Sequence, residues 1–465
     1  MTDRQHKATP EKIGIDELDS FLVQVKRIPD IETKCGTKGT KPYIISIDHL
    51  LETAKKCGLD IAMKNQTPYL FNGRFWQRIE EKEFEHFLQA VGTTQGIPYG
   101  IIRDHSFVAK LVKQFASVAR FPILTENDVP KINLRNGTLH FTAERIELKS
   151  FDKRDGLAYQ LHYDFDPSAT APQFKEFIEH VLPNKAVRKL IFQYIGYIFL
   201  RKMNLEKILF FYGSGSNGKS VFLDVVKALI GEEQCCEFSL ESITNDMYTR
   251  AQLGNYILNV CSEISERLKA DIFKKLASRE PLQARHPYGR PFKITEYATC
   301  IFAMNKFPKD VEQTNAFFRR FLIVEFGVCI PDEEQDTELA KKITGSEMSG
   351  VLNYVIRGAK SLLKAGQFDI PPVVQKAIEN FRTDSDSVLT FLEENRYRPS
   401  NEHWKSLRAI YDAYVEQCKA DREVPVSKKM FSKRLSDIGY KKDTRGHDKQ
   451  VAFCMERGDD TESAE

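Results

Sequence analysis

Eight consecutive residues, Gly213, Ser214, Gly215, Ser216, Asn217, Gly218, Lys219 and Ser220, spell GxxxxGK[ST]. Glycines at the first and sixth positions let a backbone wrap phosphate oxygens, whose charge also meets the start of the following helix. Lys219 supplies a cation for β- and γ-phosphate oxygens, and the Ser220 hydroxyl is placed to ligate Mg2+. The flanks are those the motif needs. Residues 207–212 form an apolar run suited to a buried parallel strand, and residues 221–230 have helical spacing. A bare pattern arises by chance, whereas strand, loop and helix in this order argue for ATP and Mg2+ as ligands.

A phosphate cradle needs partners before it can hydrolyse anything. Residues 256–261 read as a second strand that ends in Ser262 and Glu263. Glu263 is the candidate for polarising the attacking water and helping to hold the metal; its plainer reading is a solvated strand-end carboxylate. A third strand, residues 297–304, ends in Asn305, whose amide suits a γ-phosphate sensor, or else simply begins the turn into Lys306. Arg319 and Arg320 precede another apolar strand, residues 322–326. Either arginine suits a finger reaching a neighbouring subunit's γ-phosphate, and either suits an ion pair within its own chain.

Between the second and third strands, Pro287, Tyr288, Gly289 and Arg290 make a hairpin tip. Arg285, Arg290 and Lys293 would track nucleic-acid phosphates, while Tyr288 or His286 would stack on bases. An ordinary basic surface hairpin is the alternative. Nearer the end of the chain, residues 427–438 read as a helix capped by Ser427, with Lys428, Lys429, Lys433 and Arg434 mainly outside. A hairpin over residues 440–455 adds Lys441, Lys442, Arg445 and Lys449. That arrangement suits a winged helix on duplex DNA, and also a protein-binding winged helix or a solvated charged face.

The elements that must position these groups follow from periodicity. Residues 1–40 read as a flexible arm with at most one short helix near residues 18–25. Residues 41–150 read as a small α+β domain with turns at Asn72-Gly73 and Asn136-Gly137, in which Phe75 and Trp76 belong to the core. A helical collar is expected over 151–203, an α/β ATPase core over 204–330, a helical segment over 331–373, a winged helix over 374–455 and an acidic tail over 456–465. Asp164 and Asp166 read as an Asp-Pro turn rather than a catalytic carboxylate pair. Across 465 residues, 68 Lys and Arg against 65 Asp and Glu leave a net charge of +3, so nucleic-acid contacts must come from local clusters. Nine scattered cysteines form no CxxC pair, against zinc knuckles and a disulfide framework, and the N-terminus lacks a secretion signal. A soluble protein of a reducing compartment, without a membrane partner, is expected.

Taken together, GSGSNGKS, the Glu263 strand followed by Lys274, Lys275 and Gln283-Ala284-Arg285, and the IFAMN–RRF block resemble superfamily 3 helicases. The resemblance is to the poxvirus and satellite-phage primase–helicase group of phages, plasmids and integrated elements, and it covers residues 130–455. It implies an AAA+-like ATPase assembled as a homo-hexameric ring, with ATP between subunits and single-stranded DNA in the channel. It further implies duplex origin DNA at the winged helix, a separate primase or polymerase as partner, and the cytoplasm of a bacterial host as location. Relatives often carry Asp where Ser262 stands, which leaves one contact to the metal open. No primase activity is expected of this chain. An origin-binding remodeller without processive unwinding, or a scaffold that uses nucleotide only to assemble, fits the same motifs.

Overall fold

The computed structural model describes residues 13–35, 41–64, 66–122, 129–262, 269–306, 308, 311–421, 424–445 and 450–457. The chain divides into two units, Met1–Asp166 and Pro167–Glu465.

The first unit contains α1 (Asp16–Leu22), α2 (Ile31–Cys35), α3 (Pro42–Cys57), β1 (Asp60–Lys64), β2 (Thr67–Phe71), β3 (Trp76–Arg78), α4 (Glu81–Gln95), α5 (Tyr99–Ile102) and α6 (His105–Val118). It continues with β4 (Lys131–Leu134), β5 (Gly137–Phe141) and β6 (Ile146–Lys149). Its strands form two antiparallel sheets, β1-β2-β3 and β4-β5-β6. Both predicted asparagine–glycine turns fall at hairpins; Asn72 Oδ1 accepts from the amides of Arg74 and Phe75 at 3.1 and 3.0 Å. Trp76 is buried against Phe71 and Phe121, and its indole N–H donates to Lys153 O at 2.8 Å. Asp164 is paired with both arms of Arg135 at 2.9 Å, and the turn itself falls at Pro167 and Ser168.

Two boundaries differ from expectation. Residues 13–35 are not a flexible arm, because Leu18, Phe21, Leu22, Val25, Ile28 and Ile31 enter the core shared with α3, α4 and α6. Polar neighbours hide that stripe in the sequence. The collar also begins later than residue 151. Residues up to 166 belong to the first unit, with only a 3-10 turn at Lys153–Asp155, and Pro172 opens the first helix of the second. A residue before proline is pushed out of helical geometry, and Ala171 sits at φ −136°.

The second unit opens with α7 (Pro172–Val181) and α8 (Lys185–Phe199), then β7 (Ile208–Tyr212), α9 (Lys219–Ile230), β8 (Cys235–Cys236), α10 (Leu240–Asn245), α11 (Met247–Leu253), β9 (Leu258–Cys261) and α12 (Ala270–Ala277). The hairpin β10 (Leu282–Ala284) and β11 (Phe292–Ile294) precedes β12 (Thr299–Met304), α13 (Asn315–Phe318) and β13 (Phe321–Glu325). β13-β7-β12-β9-β8 form one parallel sheet, chain order 5-1-4-3-2. Every residue of β7 except Tyr212 is buried, as an internal parallel strand requires.

Next come α14 (Leu339–Ser346), α15 (Met348–Ala365) and α16 (Pro372–Asp384). α8 and α15 pack so closely that a Cβ on Gly358 would lie 2.3 Å from the Phe192 backbone. The helical segment expected over 331–373 breaks at Glu347. Its buried carboxylate there accepts from the amides of Gln173 and Phe174 at 3.1 and 2.9 Å, satisfying the start of α7. α16 lays Ala377 and Phe381 into the core of the parallel sheet, with Phe381 5.1 Å from the Phe321 ring.

Last are α17 (Ser387–Glu394), β14 (Tyr397–Ser406), α18 (Leu407–Ala420), α19 (Lys428–Ile438), β15 (Lys442–Arg445) and β16 (Gln450–Arg457). The three helices pack through Phe391, Tyr414 and Phe431 against the sheet β14-β16-β15. β14 was not expected; its bulge between Pro399 and Trp404 breaks the alternation that marks a strand. Among the described residues no helix is long and apolar enough to cross a membrane.

Candidate functional site: a phosphate loop and two basic surfaces

β7 delivers the chain into Gly213–Gly218 and α9 carries it away. Gly218 caps α9 at φ +80°, and a Cβ there would meet Val181 Cγ1 at 2.8 Å, so α7 buttresses the loop from outside. The Asn217 side chain is buried and donates to Phe326 O at 3.0 Å, which ties the loop to the segment after β13. Ile330 N donates to Ser216 O at 2.8 Å on the same side.

The Lys219 ammonium donates to Gly213 O at 2.7 Å and to Asn217 Oδ1 at 3.1 Å, with 8% of the residue exposed. Burial lowers its pKa, so negative charge brought to the loop would stabilise the ammonium. Ser214, Gly215, Ser216 and Ser220 are exposed around it. Ser220 stands in the first turn of α9, a place that fits a Mg2+ ligand.

The neighbouring strands place their ends beside this loop. Met304 of β12 is in register with Tyr212 of β7, and Gly213 N donates to Met304 O at 3.3 Å. Asn305, the next residue, therefore stands exposed next to the start of the cradle. β9 lies on the far side of β12, and Ser262 follows its last residue, exposed. Glu263 lies outside the described residues.

The two arginines separate sharply. Arg320 has 9% of its side chain exposed and donates to Lys274 O and Ser278 Oγ at 3.3 and 3.1 Å, and to Ala316 O. It holds α12 and α13 together and is not available to a neighbour, which corrects its candidacy as a finger. Arg319 has 59% of its side chain exposed and pairs with Glu206. Both precede β13, whereas the phosphate loop follows β7, and these strands run parallel with Phe321 opposite Ile208. Lys207, at the same end as Arg319, donates to Arg319 O at 2.5 Å; burial first, and then Arg319, lowers its pKa. Sequence reasoning passed over Glu206 and Lys207. Their signal was an acid–base pair just before a strand whose parallel neighbour starts with two arginines.

The hairpin β10–β11 presents part of the expected basic tip. Tyr288 is fully exposed at φ +58°, and Arg290 and Lys293 are exposed. His286 instead stacks on Phe292 with ring centroids 4.9 Å apart, and Arg285 Nε donates to Gly289 O at 2.9 Å. Both are half-buried and help to shape the turn.

In the C-terminal module Lys428, Lys429, Lys433, Lys441 and Lys442 are exposed on α19 and the start of the hairpin, as is Arg445. Lys441 donates to Asn401 Oδ1 at 2.8 Å, and Lys449 lies outside the described residues. Arg434 is a correction. It is 7% exposed, pairs with Asp386 at 3.0 Å and reaches Val311 O at 3.5 Å. Asp386 also caps α17 through the Val388 and Leu389 amides. Arg434 thus fastens α19 to Val311, whose side chain belongs to the core of the parallel sheet. Arg434→Ala leaves that carboxylate uncompensated and should cost about 3–5 kcal/mol. A denaturation midpoint within error of wild type would show that the pair carries no such load.

A five-stranded parallel sheet whose internal strand β7 opens a strand–GxxxxGKS–helix unit defines a P-loop NTPase core. Residues 49–183 match the family described as D5 N terminal like, and residues 211–320 match a family of unknown function, DUF5906. The first match starts well before residue 130, so the likeness covers more of the first unit than the motifs alone indicated. A protein of Invertebrate iridescent virus 3 named "Putative helicase 121R" is 22% identical over 340 residues, covering 64% of this chain and 36% of that protein. The chain thus spans about a third of the curated relative it matches. Among solved structures, the apo NrS-1 C terminal region (305-718) aligns with a TM-score of 0.47 and 13% identity, over 89% of this chain and 99% of that one. An A form of the same region aligns with a TM-score of 0.46 and 14% identity, over 87% and 98%.

Proposed function

We propose that this chain is an ATP-dependent replicative DNA helicase of a phage, plasmid or other mobile element, working in the cytoplasm of a bacterial host. It acts as a homo-hexameric ring that moves single-stranded DNA through its channel. One observation carries the reading: the charges of the site are split between the two ends of one sheet. Lys219 and Asn305 stand at one end and exposed Arg319 at the other, separated by a five-residue strand of about 16 Å. Arg319 is too far from the phosphate its own chain would hold. In a ring of identical copies it would meet the phosphate held next door. The strand order 5-1-4-3-2 supports the AAA+-like form of the core.

In this reading the loop from Gly213 to Ser220 wraps the phosphates, Lys219 neutralises the β and γ oxygens, and Asn305 senses the γ-phosphate. Ser220 and Glu263 would hold Mg2+, which would offset the charge that develops in transfer. Glu263 polarises the attacking water. Tyr288, Arg290 and Lys293 face the DNA strand. The C-terminal order of helix, strand, two helices and hairpin supports a winged helix, and its exposed lysines suit duplex origin DNA. A separate primase or polymerase would complete the replication apparatus.

ATP hydrolysis with and without single-stranded DNA, unwinding of a forked duplex and mass in the same buffer test the proposal together. DNA-stimulated turnover and strand displacement from a species of six protomers are expected. Turnover indifferent to DNA from a monomer that unwinds nothing would refute it. Arg290→Ala with Lys293→Ala should weaken single-stranded DNA binding about tenfold. The slope of log affinity against log salt should fall by about 1.4, as expected for two lost phosphate contacts. An unchanged slope in a salt titration would remove this hairpin from the DNA path.

A further inference from the structure

The geometry points to Glu206 as a positioning residue for Arg319, fixing the direction in which its guanidinium meets a phosphate bound by a second copy of this chain. The inference rests on the role given to Arg319 above. Glu206 stands at φ +52°, a region that residues with a Cβ rarely enter. Asn204 supports it there: its Oδ1 accepts from the Glu206 amide at 3.3 Å, while its Nδ2 donates to Ser278 O at 2.5 Å. From that backbone the carboxylate accepts from Arg319 Nη2, and the same oxygen lies 3.5 Å from Arg320 Nη2.

Arg320 is buried and immobilised by three acceptors on α12 and α13, so the carboxylate is anchored on its inner side. Its outer side then orients the exposed guanidinium. The backbone of Arg319 is held separately, by Lys207 Nζ on its carbonyl. The turn before it is held by Arg382 of α16, whose Nη1 donates to Asn315 Oδ1 at 3.0 Å. A guanidinium carries five N–H donors in a rigid fork, so one nitrogen given to Glu206 leaves others for a phosphate oxygen. An exposed pair of this kind is weak, so it narrows orientation without outcompeting a multiply charged phosphate.

The test uses the full chain at concentrations where it is assembled, with saturating single-stranded DNA and varied MgATP. Glu206→Gln should lower kcat about three- to fivefold, the scale of one exposed charged contact, with KM within about twofold of wild type. Glu206→Asp keeps a charge beside Arg320 but withdraws it from Arg319, and should lower kcat similarly. In an Arg319→Ala background neither change should cost anything more. Loss of the same size in that background, or wild-type kcat in both single variants, would overturn the positioning role while leaving Arg319 in place. Wild-type turnover of Arg319→Ala itself would defeat the shared-site reading, and the positioning role with it.

Discussion

Lys219→Ala should lower ATP turnover by about a hundredfold or more, the scale on which removing one preorganised donor from developing negative charge acts. The effect has two parts. The ammonium in the wild type is already desolvated by the loop, so a phosphate meets it without either having to shed much water there. Its present partners, Gly213 O and Asn217 Oδ1, lie in the loop itself, so the side chain is held within reach of the cradle beforehand. The loop's shape is secured independently, by Asn217 on Phe326 O and by α7 against Gly218, so the variant should fold. Nucleotide affinity and single-turnover hydrolysis check it. Retained turnover would place the chemistry outside this loop.

Arg319→Ala should lower turnover of the assembled protein by about 10³-fold or more, as expected when a charge from a neighbouring copy is withdrawn from a transferring phosphoryl group. On the proposed role in another copy's site, mixing the variant with wild type should depress activity below simple dilution. Arg320→Ala should behave differently. It removes a buried guanidinium from Lys274 O, Ala316 O and Ser278 Oγ, three acceptors that water reaches poorly, and so should lower the melting temperature. Mixing with Arg320→Ala should not poison wild type. If Arg319→Ala mixtures showed only dilution, each site would be complete within one chain.

The strands of the parallel sheet were legible because each is a short apolar run leading into residues that could do chemistry: the loop after Tyr212, Glu263 beyond β9, Asn305 after β12. A buried parallel strand must be apolar on both faces, and that leaves a plain mark in the sequence. Less was legible where packing decides. β8 has only two residues, Cys235 and Cys236, and exists because β9 offers them an edge. β14 pairs with a strand some fifty residues later, across a bulge. Residues 13–35 appeared polar on average, although six of their apolar side chains are buried.

The same division runs through the charged residues. In the sequence Arg319 and Arg320 are equivalent neighbours, as are Lys433 and Arg434, and basic residues cluster alike at the hairpin and in the C-terminal module. Chain order alone determined the phosphate cradle, the residue types at the strand ends and the presence of a basic C-terminal module. These are local, depending on a few residues in succession and the elements that flank them. Only the tertiary structure decided that Arg320 and Arg434 are inward ties while Arg319 and Lys433 face solvent, and that Glu206 meets Arg319 from more than a hundred residues away. Which arginine turns inward depends on where distant carboxylates and carbonyls converge, and burying a charge is tolerable only where such partners wait for it.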